Sequence, residues 1–458
     1  MYKIPKEEEI PFRLKSFIFS FSFPKKILEE EGASIYESKK NLTNNRINLL
    51  EKKDIPFHYI KAKFFVDPSS AFYKDYNEVK TSLKNLAEKN PSFIEYKIIG
   101  KSRKGRHIPA LVLSYKKSTK EKISILLNGA HHGDEQISTE HVLYTLEKII
   151  RDKRKYQTLL ERTKIWFVPI VNPDGYENFW RFSMQMGRKN GMENKSYSVE
   201  ERIHSGVDLN RNYPFHWNSG NEKASSSDYV SSHYRGESPA SEPEVQAMIQ
   251  LAESERFSYS LSFHSFGTCI LFPYTIDNLK NPEPSYAEGL AKKMSDYAIS
   301  IRRKFSRYTP LKKIYSVDGT FQDYLFFTYG TMALLIESSH QNPEYPLARE
   351  VVKNFHPATE AFLFDFLETE AIFLKVRNQF GEALEAEVQI PGIKYYEGEK
   401  YTSSPKTGLF FKPLGLKKKY KIRLIKESYK TMEVEIEAIK GLQDPFQIIM
   451  EKKALLGK

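Results

Sequence analysis

The chain has 458 residues, of which 40% are apolar and 14% aromatic, and Lys+Arg 70 against Asp+Glu 58 leave a net charge of +12. That length exceeds what one hydrophobic core serves, so two or three domains are expected. The basic charge is scattered rather than packed into one arm, which argues against nucleic-acid binding, and no run approaches the ~20 apolar residues that cross a bilayer, which argues against an integral membrane segment.

A small α+β module is read over residues 1–66: strand Phe12 to Phe23, helix Pro24 to Glu31, strand Ala33 to Glu37, helix Asn44 to Lys52 and strand Phe57 to Phe65. Within it, Phe17 to Phe23 follows the acidic Glu7, Glu8 and Glu9 and lacks a small-residue cleavage site, so it reads as a buried strand rather than a signal segment. The second unit, residues 67–368, opens with a helix whose Val79, Leu83 and Leu86 share a face and which Pro91 ends. Paired strands Phe93 to Ile99 and Ile108 to Ser114 follow, joined by the basic turn Gly100 to Arg106. Next come strand Ile123 to Asn128, helix Thr139 to Arg151 and strand Ile165 to Val171.

Met184 to Ala240 lacks apolar periodicity and reads as long surface loops, the usual carriers of binding groups. Ser241 and Glu244 give a capping box ahead of Val245, Met248, Ile249 and Leu251. Strands Tyr259 to Phe263 and Met332 to Ile336 complete an α/β sheet with helices on its faces, and ligands of such sheets gather at the carboxyl ends of strands. From residue 369 the pattern changes to short alternating runs: Ala371 to Val376, Ala386 to Ile390, Gly408 to Phe411, Lys419 to Leu424, Thr431 to Ile436 and Phe446 to Met450. These predict an all-β sandwich over residues 369–458. The single cysteine, Cys269, excludes an internal disulfide framework and fits a reducing, cytoplasmic compartment, with a periplasmic or secreted location left open.

Chemistry concentrates in a few places. His132 and Glu135, three residues apart, and the distant His264 offer two nitrogens and a carboxylate, the set that leaves zinc one open position. His131 competes with His132, and each residue taken singly has an ordinary reading as a loop or core residue. Asn210-Arg211 suits a bidentate grip on a carboxylate, and Arg188 offers a second permanent cation able to face a developing oxyanion. Glu337 is the only charge in Thr331 to Ser339, a setting that raises the cost of ionising a carboxylate and suits a general base.

These residues occur in ordered blocks: Asn128 to Glu135, Asn172 to Glu177, Gly187 to Asn190, Gly206 to Pro214, Tyr234-Arg235-Gly236 with Ser241 to Glu244, His264-Ser265, Tyr315 and Glu337. From about Tyr73 to Glu368 the chain resembles a zinc metallocarboxypeptidase of the carboxypeptidase A/B superfamily. Gly206 to Pro214, Gln322-Asp323-Tyr324 and the trailing β-unit resemble the carboxypeptidase N/E branch, whose sandwich is transthyretin-like. The resemblance implies a central mixed sheet flanked by helices and a prodomain-like N-terminal module. It also implies one zinc ion held by His132, Glu135 and His264, with Asp208 accepting a hydrogen bond from His132. Asn210 and Arg211 would bind the substrate's terminal carboxylate with a mobile Tyr315, Arg188 would polarise the scissile carbonyl, and Glu337 would move the proton.

Specificity follows less directly. In the N/E branch a carboxylate beyond the Pro-Phe/Tyr pair helps recognise a basic terminal side chain, whereas Pro273-Tyr274 is followed here by Thr275, with Asp277 two residues on and Gln322 at the other pocket position. A basic or polar terminal residue is expected over a large apolar one. The implied partner is a peptide or protein with a free C-terminal carboxylate, acted on by a monomer. A peptidoglycan stem-peptide hydrolase with the same site and a silent peptide-binding module are the rival readings.

Overall fold

A computed structural model of the chain describes residues 2–5, 25–30, 33–37, 58–59, 73–181, 187–191, 205–301, 306–339, 342–343, 345–441 and 443–453. At the N-terminus β1 (Tyr2–Pro5), β2 (Lys25–Glu30), β3 (Ala33–Glu37) and β4 (His58–Tyr59) pair in the order β2-β3-β1-β4. The segment read as a helix, Pro24 to Glu31, is thus a strand over Lys25–Glu30. It pairs antiparallel with β3, Glu30 opposite Ala33. The expected strand Phe12 to Phe23 and helix Asn44 to Lys52 lie outside the described residues, as does most of the expected strand Phe57 to Phe65.

The central unit begins with α1 (Tyr76–Lys89), which Asp75 and Glu78 start with a reciprocal capping box and which buries Val79 and Leu83. Then come β5 (Ile94–Lys101), β6 (His107–Leu113), β7 (Ile123–Gly129), α2 (Gln136–Arg151), α3 (Gln157–Arg162), β8 (Thr163–Val168) and α4 (Pro173–Arg181). Beyond the loops lie α5 (Pro243–Glu255), β9 (Tyr259–His264), β10 (Gly267–Leu271), α6 (Ala287–Tyr297), the short β11 (Ile299–Ser300), β12 (Ser306–Arg307) and β13 (Thr309–Leu311), α7 (Phe321–Tyr329), β14 (Met332–Ser339) and α8 (Tyr345–Leu363). Eight strands form one mixed sheet in the order β13-β10-β14-β9-β7-β8-β6-β5. Its middle strands β14, β9, β7 and β8 are parallel, and every residue of β7 and β9 is buried, as expected of strands covered on both faces.

Two boundaries moved for local reasons. The helix α5 has Glu242 at its cap position with no side-chain cap, because the Ser241 hydroxyl donates to Glu242 Oε1 and Glu244 accepts the Arg103 amide; the Ser241 capping box is therefore not formed. Pro243 at the first helical position supplies the start instead. Strand β14 runs on to Ser339 because β10 pairs with it from Gly267 to Leu271, which places Glu337 inside the strand rather than past its end.

The C-terminal strands are β15 (Glu370–Asn378), β16 (Glu387–Gln389), β17 (Leu409–Pro413), β18 (Lys419–Ile425), β19 (Met432–Glu437), β20 (Ile439–Lys440) and β21 (Phe446–Met450). They make two sheets around a separate core that includes Leu374, Val388, Ile422, Leu424 and Ile448. Each of the six runs expected there is a strand. Among the described residues no helix is long and apolar enough to cross a membrane.

Candidate active site

The parallel pair β7/β9 sets Gly129 beside Phe263, and β9/β14 sets His264 beside Glu337. The loop after β7 therefore emerges next to His264, with Glu337 on the neighbouring strand. Ala130 adopts a left-handed φ of 50°, held by Ser138 Oγ accepting its amide and by its own carbonyl accepting from Asn172. Glu135 occupies the cap position of α2, where the positive helix end favours a carboxylate.

His132 Nδ1 lies 2.8 Å from Glu135 Oε1, and His264 Nδ1 lies 3.1 Å from Glu135 Oε2. All three side chains are buried, and their donor atoms fall within 4.8 Å of one another. The structure brings the proposed ligand trio together and separates the rival: His131 Nε2 faces the Tyr213 hydroxyl at 3.0 Å, while its ring stacks on His264. Two imidazole nitrogens and one carboxylate, with Asp208 Oδ1 3.0 Å behind His132 Nε2, are a donor set that fits zinc.

Asp208 is a hub. Its Oδ2 accepts from Arg188 Nη2 at 2.6 Å and lies 3.9 Å from Arg211 Nη1, while its Oδ1 also accepts the Asn210 amide. Burial opposes its charge, but Arg188 and Arg211 hold it well below the usual carboxylate range. Burial and Arg188 push His132 down, yet Glu135 and Asp208 outweigh them and lift it to about 9. Glu135, despite burial, is held low by His132 and His264. Glu337 goes the other way: burial, then the nearby Glu135 charge, raises it above the usual range.

Arg211 is 3% exposed and donates to the carbonyls of Ala224 and Asn210, and its Nη2 lies 3.5 Å from the Tyr315 hydroxyl. The side-chain Oδ1 of Asn210 accepts the Phe321 amide at 2.9 Å. Tyr315 is 49% exposed on the rim. Thr275 and Gln322 are both buried; the Thr275 amide and hydroxyl donate to Asp323 Oδ2 at 2.9 and 2.7 Å. Asp277 is ion-paired with Lys313 at the surface rather than turned inward.

Three residues near the site had no reading as site groups. In the sequence Asp323 is only part of the Gln322-Asp323-Tyr324 motif, and its tie to Thr275 spans 48 positions, beyond any local signal. Gly267 lies where an added Cβ would fall 2.6 Å from Glu337 Cβ, so the strand beside Glu337 needs a glycine. His233, in a loop without periodicity, is pushed down to about 4 by burial and by Arg188 and Arg211.

The sequence profile of the zinc carboxypeptidase family matches residues 79–361. The chain belongs to that family. Metallocarboxypeptidase A of Trichophyton tonsurans is 28% identical to this chain over 269 residues, 56% of this chain and 62% of that protein. A protein named inactive metallocarboxypeptidase ECM14, from Ajellomyces dermatitidis, is 29% identical over 250 residues, 52% of this chain and 40% of that protein. The chain thus spans less than two thirds of the length of these relatives. Carboxypeptidase A from Helicoverpa armigera has the same fold, with a TM-score of 0.53 at 20% identity over 79% of this chain and 97% of that chain.

Proposed function

We propose that this family member removes the C-terminal residue from peptides or proteins, with one zinc ion held by His132, Glu135 and His264. The observation that carries it is the pairing of a buried His-Glu-His donor set with Glu337 on the adjacent strand, a carboxylate whose proton affinity is raised. When bound, zinc would polarise the scissile carbonyl and bring the pKa of water toward ~7.

The chain's own residues supply the rest. Arg211 Nη2 and the Asn210 –NH2 grip the terminal carboxylate, and Tyr315 closes over it from the rim. Arg188, 3.5 Å from His132, offers its guanidinium to the oxygen that gains charge. Glu337 takes a proton from the attacking water and returns it to the leaving amine. Asp208 accepts from His132 Nε2, which leaves Nδ1, on the Glu135 side, as the nitrogen that would meet zinc, and it holds Arg188 in place. Three units, residues 1–66, 67–368 and 369–458, are proposed on the sheets and the two separate cores.

Turnover is the part that family membership does not carry, since one relative is named inactive. A C-terminal residue profile on a peptide library, with and without a chelator, tests it. Stepwise release of terminal residues that stops with the chelator and returns with zinc is expected; binding without release would leave a silent peptide-binding module.

A further inference from the structure

The C-terminal β-unit is tied to both segments on which the family resemblance places recognition of the terminal side chain, the one bearing Thr275 and the one bearing Gln322. Tyr274, adjoining Thr275, is fully buried and donates its hydroxyl to Glu399 Oε1 at 2.8 Å, within the β-unit. Glu399, itself 6% exposed, keeps its other oxygen on the Glu397 amide at 3.0 Å. Further along the same loop, Lys280 donates its amide to Glu397, and Glu283 and Lys394 exchange backbone hydrogen bonds of 2.9 and 2.8 Å. The second segment is α7, which carries Gln322 and Asp323 and ends at Gly330, whose carbonyl accepts Lys412 Nζ at 3.2 Å.

The loop passes this restraint on to the groups that meet substrate. Thr275 donates twice to Asp323, its carbonyl accepts the Val317 amide at 3.3 Å, and the Asp277 amide donates to Ser316 Oγ at 3.0 Å. Tyr315 lies immediately before these last two contacts. A shift of Tyr274 therefore displaces Thr275 and the segment bearing Tyr315 together. We propose that Glu399 is a positioning residue for terminal-residue selection, acting through Tyr274; the inference rests on the carboxypeptidase reading above. The Tyr274 phenol stays protonated, since burial raises its pKa, so it remains the donor and Glu399 the acceptor.

The test compares Glu399→Ala, Tyr274→Phe and Glu399→Gln in the full zinc-loaded chain. Two quantities are read: the ratio of kcat/KM for peptides differing only in the terminal residue, and amide hydrogen exchange of residues 273–284 with β7 as the internal control. Glu399→Ala and Tyr274→Phe are expected to speed exchange of that loop about tenfold, the scale of one buried hydrogen bond, without changing β7. They should also shift the selectivity ratio at least about fivefold through KM rather than kcat, with zinc content unchanged. Glu399→Gln keeps an acceptor oxygen and should behave as the parent chain. Should Glu399→Ala fail to fold, Tyr274→Phe removes one hydroxyl from intact ring packing and makes the same comparison. Unchanged exchange overturns the proposal, and so does faster exchange with an unchanged ratio in an active enzyme. A parent chain that never hydrolyses peptides sinks the carboxypeptidase reading instead, and the exchange data alone then decide whether Glu399 holds the 273–284 loop through Tyr274.

Discussion

Glu337 and Asp208 are carboxylates within reach of the same arginines, yet their surroundings drive them apart: the cations around Asp208 fix its charge, while burial and Glu135 make Glu337 hold a proton more readily. Such divergence separates a residue that orients from one that shuttles protons. Glu337→Gln is isosteric and lies outside the donor trio, so zinc content should stay the same while kcat falls about 10²–10⁴-fold, the usual share of a general base. Metal analysis beside steady-state kinetics checks this, and near-normal turnover would remove Glu337 from the mechanism. Asp208→Asn removes the acceptor charge behind His132 Nε2, so zinc affinity should drop about 10–100-fold in chelator competition. Arg188 loses its 2.6 Å partner in the same variant, so kcat should fall as well even at saturating zinc.

At the scale of elements, the antiparallel pair β10/β14 sets how Glu337 is presented. Its register brings Cys269 opposite Glu337, and the glycine two residues earlier leaves the space that the Glu337 side chain occupies. Gly267→Ala should push that side chain aside and lower kcat by about 10²-fold, the scale of an ångström of misplacement, with zinc content kept. Rapid kinetics on zinc-loaded protein would show it; unchanged kcat would mean the strand yields instead. The strands β7 and β14 were legible because each carries an apolar run, β9 because Tyr259, Leu261 and Phe263 alternate with serines, and α1 and β18 because their apolar residues keep a period. The first turn of α2 was not legible: Gln136 and Ser138 are buried there but satisfied locally by Gly133 and Glu135 carbonyls, so no apolar period announces them. Asp208, Asn210 and Arg211 lie in a stretch with no period at all, and only the ordered motif blocks pointed to them. The Thr275–Asp323 contact was out of reach because it exists only once β10 and α7 are packed.

For the whole molecule, the central and C-terminal units share a seam in which Ala371, Phe373 and Phe411 join the main core while the alternating Ile372, Leu374 and Phe410 serve the C-terminal core. Lys412 is buried in that seam, 5% exposed, with Nζ 4.4 Å from the Tyr401 ring centroid and 5.4 Å from that of Phe326. Burial pushes its pKa down to about 7, with Glu399 pulling weakly the other way. Below that value both folded and unfolded chains carry the proton, and Lys412 adds no pH dependence. Between about 7 and the unfolded lysine value near ~10.4 only the unfolded chain binds it, so stability rises with pH by up to about 1.4 kcal/mol per unit. Above that range the two states match again. Lys412→Met removes the titrating group while keeping an unbranched apolar stem, so it should flatten this part of the curve and raise Tm most at and below about pH 7. Thermal melts of both proteins from pH 6 to about 10 measure the difference; parallel curves would show that Lys412 stays protonated in the folded seam, with Glu399 and the two aromatic rings stabilising the charge.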